Sequence, residues 1–223
     1  MISKKNTYGL VAFVTIANLL VNIYYEIFEV VPITDAKASL FGHFPHGIEG
    51  APGRVFDLLS YFTIWSQIVV AITFFALFKN QARKDRFTTL LLPTALMMIT
   101  ITGIMFYALI YPVSPPVGAN IVPSFVSHAV VPIISVLTWI AYGPRGFVKI
   151  KAIPTYFIIP IIWVVLTHVR GLINGQYPYA VLDVTDIGYT WFFITIVAII
   201  IFGIVLAFIY VAIDKFRAKS SRS

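Results

Sequence analysis

The sequence predicts an all-α polytopic membrane protein: a six-transmembrane-helix bundle with both termini cytoplasmic. Three observations carry that expectation. Hydrophobic residues make up 59% of the 223 and charged residues only 11%, against about 25% charged in a soluble domain. Six apolar runs each reach the roughly 20 residues that a helix needs to cross a ~30 Å hydrocarbon core. The basic residues sit in short clusters between alternate runs, the pattern that sets the orientation of membrane helices.

The runs lie at about 8–31, 57–78, 87–111, 123–143, 153–172 and 187–213, and together they form a single integral membrane domain over 1–223. The first follows the basic stretch MISKK and so resembles a secretory signal. It is too long for a signal core, lacks a small-residue cleavage site and carries Asn18, Asn22 and Glu26, so a retained helix is expected. Charge then orders the rest. Lys4 and Lys5 precede the first run; Lys79, Arg83, Lys84 and Arg86 separate the second and third. Arg145, Lys149 and Lys151 separate the fourth and fifth, and Lys215, Arg217, Lys219 and Arg222 follow the sixth. Thirteen of the 16 Lys and Arg therefore share one side, with Lys37, Arg54 and Arg170 on the other. Cations placed in this way meet lipid headgroups, so the net charge of +7 does not imply a nucleic-acid partner. The absence of cysteine excludes disulfides and thiolate metal sites.

Polar chemistry gathers on the non-cytoplasmic side. All four histidines fall there: His43 and His46 in the first loop, His128 near the start of the fourth run and His168 near the end of the fifth. Seven of the nine acids join them: Glu26, Glu29, Asp35, Glu49, Asp57, Asp183 and Asp186. Ionisable groups at membrane depth usually face the bundle interior and mark function. Thr15, Asn18, Asn22 and Glu26 recur at spacings of three and four on the first run, as do Ser60, Thr63 and either Ser66 or Gln67 on the second, so each set shares a helix face. Interhelical hydrogen bonding is the ordinary use of such residues.

Depth singles out two of them. Counted from Asp57, Thr63 lies ~9 Å down its helix, and counted from Pro123, His128 lies ~8 Å down, at 1.5 Å per residue. A hydroxyl and an imidazole at one depth are the minimum for a nucleophile and its general base. Ser60 and Ser66 satisfy the same count, and a structural histidine remains the competing reading.

The stretches SYFTIWSQ (60–67), ITGIMFYAL (101–109), HAVVP (128–132), YGPRG (142–146) and YPYAVLDVTDIGY (177–189) resemble one integral membrane family. It is the androgen-induced and androgen-dependent TFPI-regulating protein family, with its bacterial six-helix relatives, and the resemblance covers roughly residues 55–213. The animal members are membrane threonine hydrolases that cleave fatty acid esters of hydroxy fatty acids. The resemblance implies that Thr63, in an aromatic-x-Thr pattern, is the nucleophile, and that His128, opening a His-x-x-x-Pro pattern, is its base. It also implies a lipid ester substrate, a bacterial cell membrane as the location, and no cofactor.

Other residues invite weaker readings. Ser66, Gln67 and Tyr107 are candidate donors to an oxyanion, with packing as the alternative. His168 and Arg170 are candidates for a fatty-acid carboxylate; the alternative is an interfacial anchor or an ion pair with Asp183 or Asp186. Asp57 either orients His128 or caps its helix. His43 and His46 are too few for zinc, which takes three or four protein ligands. A rival of another class is a non-catalytic bundle for lipid binding, sensing or transport. Another is a b-type haem protein using His128 and His168.

Overall fold

A computed structural model describes residues 3–31, 40–83 and 85–219. Lys37, Asp35, Lys84 and Arg222, on which part of the charge count rests, lie outside the described residues. Every regular element described is helical, apart from an isolated bridge between Leu40 and Tyr177. Seven helices organise the chain: α1 (Lys4–Phe28), α2 (Ala51–Ser60), α3 (Phe62–Lys79), α4 (Arg86–Ile110), α5 (Gly118–Tyr142), α6 (Ile150–Asn174) and α7 (Val184–Lys219). All but α2 are long and apolar enough to cross a membrane. Large apolar side chains face outward along them, among them Phe13 (69% exposed), Leu20 (61%) and Phe193 (59%). In a water-soluble bundle those positions would be polar.

The core lies around α4, which contacts α3, α5, α6 and α7. Its stretch from Leu92 to Gly103 is almost wholly buried, because neighbours cover it on every side. Small residues set the closest approaches. A Cβ on Gly103 would sit 2.9 Å from the His128 carbonyl oxygen and 3.2 Å from Pro132, so the α4 backbone lies against both the backbone and the Pro132 ring of α5 there.

One end of the bundle is closed by α1, the 143–149 segment and the C-terminal part of α7. The Tyr8 hydroxyl donates to the Tyr142 carbonyl (2.6 Å), and Arg217 donates to the carbonyls of Ile140 and Gly143 (2.8 Å each). Asp214 holds the same loop from the other side, accepting from the Val148 amide at 3.0 Å. At the opposite end α2, the segment around Phe41 and the 175–183 segment fold over the helices. There Arg54 donates to the carbonyls of Glu26, Pro45 and Gly47, tying the end of α1 to the first loop.

The second run departs from expectation. A single helix from 57 is replaced by α2 and α3, with a break at Tyr61 (φ −71°, ψ 138°). Nothing in the local sequence breaks a helix here; no Gly or Pro lies within LLSYFTIW. The break is held from outside. Trp65 Nε1 donates to the Leu59 carbonyl (2.9 Å) and Trp163 Nε1 to the Ser60 carbonyl (2.8 Å), so the acceptors released by the break stay satisfied. Tertiary contacts here override helix propensity. Asp57 is accordingly inside α2 and caps nothing. Two further irregularities, at Phe157 and at Gly188 (φ 73°), interrupt α6 and α7 without dividing the spans.

Gly103→Val forces the α4–α5 contact open. The expected loss is about 1–3 kcal/mol of stability, read as a lowered unfolding temperature in detergent; an unchanged temperature would show that the contact is not constrained.

Candidate functional site

The break at Tyr61 makes Thr63 the second residue of α3, and that position decides what its hydroxyl can do. Mid-helix threonines bond back to the carbonyl four residues earlier, as Thr15, Thr73 and Thr94 do to Val11, Val69 and Leu90. Thr63 has no helical carbonyl behind it, since the chain is extended at Tyr61 and the Leu59 oxygen is taken by Trp65. Its Oγ1 lies 3.3 Å from His128 Nε2.

His128 is oriented by three features of its surroundings. It sits in a π-helical turn, Val126–Val130, where the Val131 amide reaches back five residues to the Val126 carbonyl. The His-x-x-x-Pro spacing matters here: Pro132 has no N–H to give the His128 carbonyl, so the regular ladder is already interrupted. His128 Nδ1 faces the Ser124 carbonyl oxygen at 2.8 Å, with Ser124 Oγ at 3.2 Å. A carbonyl oxygen only accepts, so Nδ1 carries the proton and Nε2 presents its lone pair to Thr63. Phe106 fixes the ring plane, stacked on the imidazole at 3.6 Å between centroids and 9° between planes. Phe106 itself opens a second π-helical turn, Phe106–Ile110. Single π turns recur at functional sites because they re-aim side chains.

Beside this pair runs a buried polar network. Asn18 Nδ2 donates to Gln67 Oε1 (3.1 Å) and to Ser127 Oγ (2.8 Å), and Gln67 Nε2 donates to Ser127 Oγ (3.1 Å). Ser66 donates to the Thr63 carbonyl (2.8 Å) and meets Thr102 Oγ1 at 2.8 Å. The network joins α1, α3, α4 and α5 around the turns that carry Thr63 and His128. Ser66 and Gln67 therefore act as interhelical ties with their hydrogen-bonding capacity spent inside the bundle.

Thr63 and Phe106 also line a cleft of about 370 Å³ between α3, α4, α6, α7 and the 175–183 segment. That volume falls within the ~300–1,000 Å³ of small-molecule sites. The lining is apolar, with Met105, Trp163 and Leu182 among its walls; its polar members are Thr63, Thr102 and Tyr179. Thr102 is engaged by Ser66, which leaves Thr63 and Tyr179 as the polar groups at the cleft wall. Leu109, Ile161, Val165 and Ile200 line the cleft and are exposed on the apolar outer surface, so its mouth opens sideways between helices.

The remaining candidates lie elsewhere. Tyr107 is exposed and packs with Phe106 and Tyr111. His168 rests against Phe192 and Tyr189, and its buried Nδ1 has no hydrogen-bond partner. Neither His128 nor His168 is among the lining residues, so the cleft does not offer a haem two axial imidazoles. Arg170 pairs with Asp57, where the sequence suggested Asp183 or Asp186. It also donates to Ser60 Oγ (2.7 Å) and lies between the rings of Phe41 and Phe56. Asp57 accepts in addition from the Gly42 amide (2.9 Å). Burial pushes its carboxyl above the usual range, against the pull of Arg170. Ser60 is thereby committed to this pair and not to His128. His46 meets Glu29 at 2.5 Å, and no cluster able to hold a metal ion occurs among the described residues.

Sequence reasoning missed Ser124, Phe106 and Tyr179. For Ser124 a signal existed, four residues before His128 on the same face; the other two have only tertiary causes. No protein-family model, curated protein or solved structure matches the chain.

Arg170→Met leaves Asp57 buried without its cation, an expected loss toward the lower end of about 3–5 kcal/mol because the carboxyl can take up a proton. Adding Asp57→Asn should restore part of that stability. Equal melting temperatures for wild type and Arg170→Met would remove the pair from the forces holding α2 on α6.

Proposed function

We propose that this protein is a membrane-embedded lipid ester hydrolase, with Thr63 as nucleophile, His128 as general base and a fatty-acid ester as substrate. The observation that carries the reading is Thr63, paired with His128, standing at the wall of an apolar, side-opening cleft. The resemblance of SYFT and HAVVP to the threonine hydrolases of fatty acid esters of hydroxy fatty acids nominates the same two residues.

Thr63 Oγ1 attacks the ester carbonyl carbon as its proton passes to His128 Nε2, and the carbonyl π pair moves onto oxygen. Collapse of that intermediate breaks the bond to the alcohol, which leaves with the proton from Nε2. The acyl group is then held as an ester on Thr63. A water molecule gives its proton to Nε2 and attacks the acyl carbon, releasing the acid and restoring the threonine. Base assistance of this kind is worth roughly 10²–10⁴-fold. The Nδ1–H keeps its hydrogen bond to the Ser124 carbonyl throughout, which stabilises the imidazolium in place of a carboxylate. The acyl chain occupies the cleft, reached from the bilayer through the gap marked by Leu109 and Ile200.

The same reading makes the chain a multi-pass protein of the bacterial cell membrane with both termini cytoplasmic. The division of basic residues supports this orientation. The site then lies toward the non-cytoplasmic leaflet. An externally accessible tag at either terminus in intact cells would reverse it.

Thr63→Ala and His128→Ala should each lower turnover of a branched fatty-acid ester by about 10³-fold or more, and the double variant should be no worse, since the two act as one unit. Thr63→Ser keeps the hydroxyl and should retain activity. Folded yield is measured beside turnover. Well-folded Thr63→Ala with wild-type turnover would leave a lipid-binding bundle, with His128 a structural tie.

A further inference from the structure

The cleft wall holds a second hydroxyl that the two-residue mechanism does not use. Tyr179 lies in the segment between α6 and α7 and is fixed there by its neighbours. The Tyr177 carbonyl accepts from the Phe41 amide (3.0 Å), and the Tyr179 carbonyl accepts from the Leu182 amide (3.0 Å). The Tyr177 ring packs where a Cβ on residue 171 would be, so Gly171 is needed for the segment to lie this close to α6. The ring of Tyr179 stands edge-on to Tyr61 (5.5 Å, 79°) and tilted over Trp163 (6.1 Å, 59°). Tyr61 is the residue of the helix break, and Trp163 is one of the two indoles that satisfy it. Tyr179 is thereby held beside the start of α3, and it lines the same cleft as Thr63.

The proton inventory fixes what each hydroxyl can offer a ligand. Thr63 has one hydroxyl proton, which goes to the Nε2 lone pair of His128, and the Nδ1 proton of His128 goes to the Ser124 carbonyl. The phenol of Tyr179 is therefore the hydroxyl donor left at the cleft wall.

We propose that Tyr179 is a catalytic residue of the hydrolase, donating its hydroxyl proton in a hydrogen bond to the oxyanion formed when Thr63 attacks the ester. The inference rests on the proposed hydrolase reading and supplies the oxyanion donor that reading lacks. When Thr63 Oγ1 bonds to the carbonyl carbon, the carbonyl oxygen becomes an oxyanion, a much stronger acceptor than any neutral oxygen at the wall. The oxyanion is attached to that same carbon, beside Oγ1, at the wall that carries the phenol, which turns its O–H toward it. No proton is exchanged, so the phenol is left unchanged as the acyl enzyme forms. Burial raises the phenol above its ordinary titration range, which keeps the donating form in place at neutral pH. A preformed donor in an apolar cleft acts with little competition from water.

The test compares wild type, Tyr179→Phe, Tyr61→Phe and Thr63→Ala on a branched fatty-acid ester in detergent. A fluorophosphonate probe, taken to its labelling endpoint, counts competent sites in each preparation. Turnover per labelled site then separates chemistry from folding, because a folding defect lowers the count and leaves the ratio unchanged. Tyr179→Phe should lower kcat per site by about 10²-fold, the cost of one oxyanion donor. KM should stay nearly unchanged, since the hydrogen bond forms only in the transition state. Labelling should slow to a similar degree, and Tyr61→Phe, which alters the neighbouring phenol, should behave as wild type. If Thr63→Ala is inactive and unlabelled while Tyr179→Phe matches wild type per site, the role of Tyr179 is overturned and the hydrolase reading stands. A rise in KM alone, or an equal loss in Tyr61→Phe, also overturns it in favour of packing. If wild type and Thr63→Ala do not differ, the hydrolase reading itself fails.

Discussion

The site depends on one backbone event, the interruption of the second span at Tyr61. A helix running continuously from α2 into α3 would place the Leu59 carbonyl behind Thr63 and absorb its hydroxyl into the helix, as happens to Thr15 and Thr73. The extended residue removes that acceptor. It also exposes carbonyl oxygens that would be costly to leave bare in an apolar setting. Two indoles satisfy them, one from α3 and one from α6. The break is thus a tertiary structure in miniature: it exists only when α6 is docked, and α6 is docked partly through the ion pair of Arg170 with Asp57.

The second support is the polar tie of Asn18, Gln67 and Ser127. It joins α1, α3 and α5, and Ser127 is the residue before His128. In an apolar interior an amide left unpaired is more costly than one weakly paired, so these groups fix the register of three helices with modest net energy. The stacked Phe106 and the Ser124 carbonyl then fix the imidazole within that register. Chemistry and packing meet at Gly103, where the absence of a side chain lets α4 carry Phe106 up to His128.

How much of this could be read in the sequence follows from which forces act locally. The spans were legible because hydrocarbon demands long apolar runs, and α4 begins and ends within one residue of the expected 87–111. The helix break was not, because its donors include Trp163, a hundred residues away, and the local residues favour a helix. Thr63 and His128 were singled out by depths counted from Asp57 and Pro123. The helix starts at Phe62 and Gly118 replace both origins, so packing of α3 on the π turn of α5, and not the count, is what brings the two together. For Arg170 the sequence offers a fatty-acid carboxylate or the nearby Asp183 and Asp186, whereas its partner comes from α2. Tyr179 carries no such signal, since nothing in YPY shows what it faces.

The sideways mouth of the cleft sets the units in which this protein meets its ligand. A molecule entering between Leu109 and Ile200 arrives from the surrounding leaflet, not from water. Encounter is then two-dimensional and governed by the ligand's mole fraction in the lipid, with its aqueous solubility entering only through partition. Diluting the bilayer with inert lipid at constant total ligand slows encounter, while diluting the whole suspension with buffer leaves it unchanged. On the proposed hydrolase reading, a cleaved acid and alcohol would return to the same leaflet, where the acid's new charge would draw it to the headgroup level and away from the apolar walls. The membrane itself would then assist product departure, without any moving part in the protein.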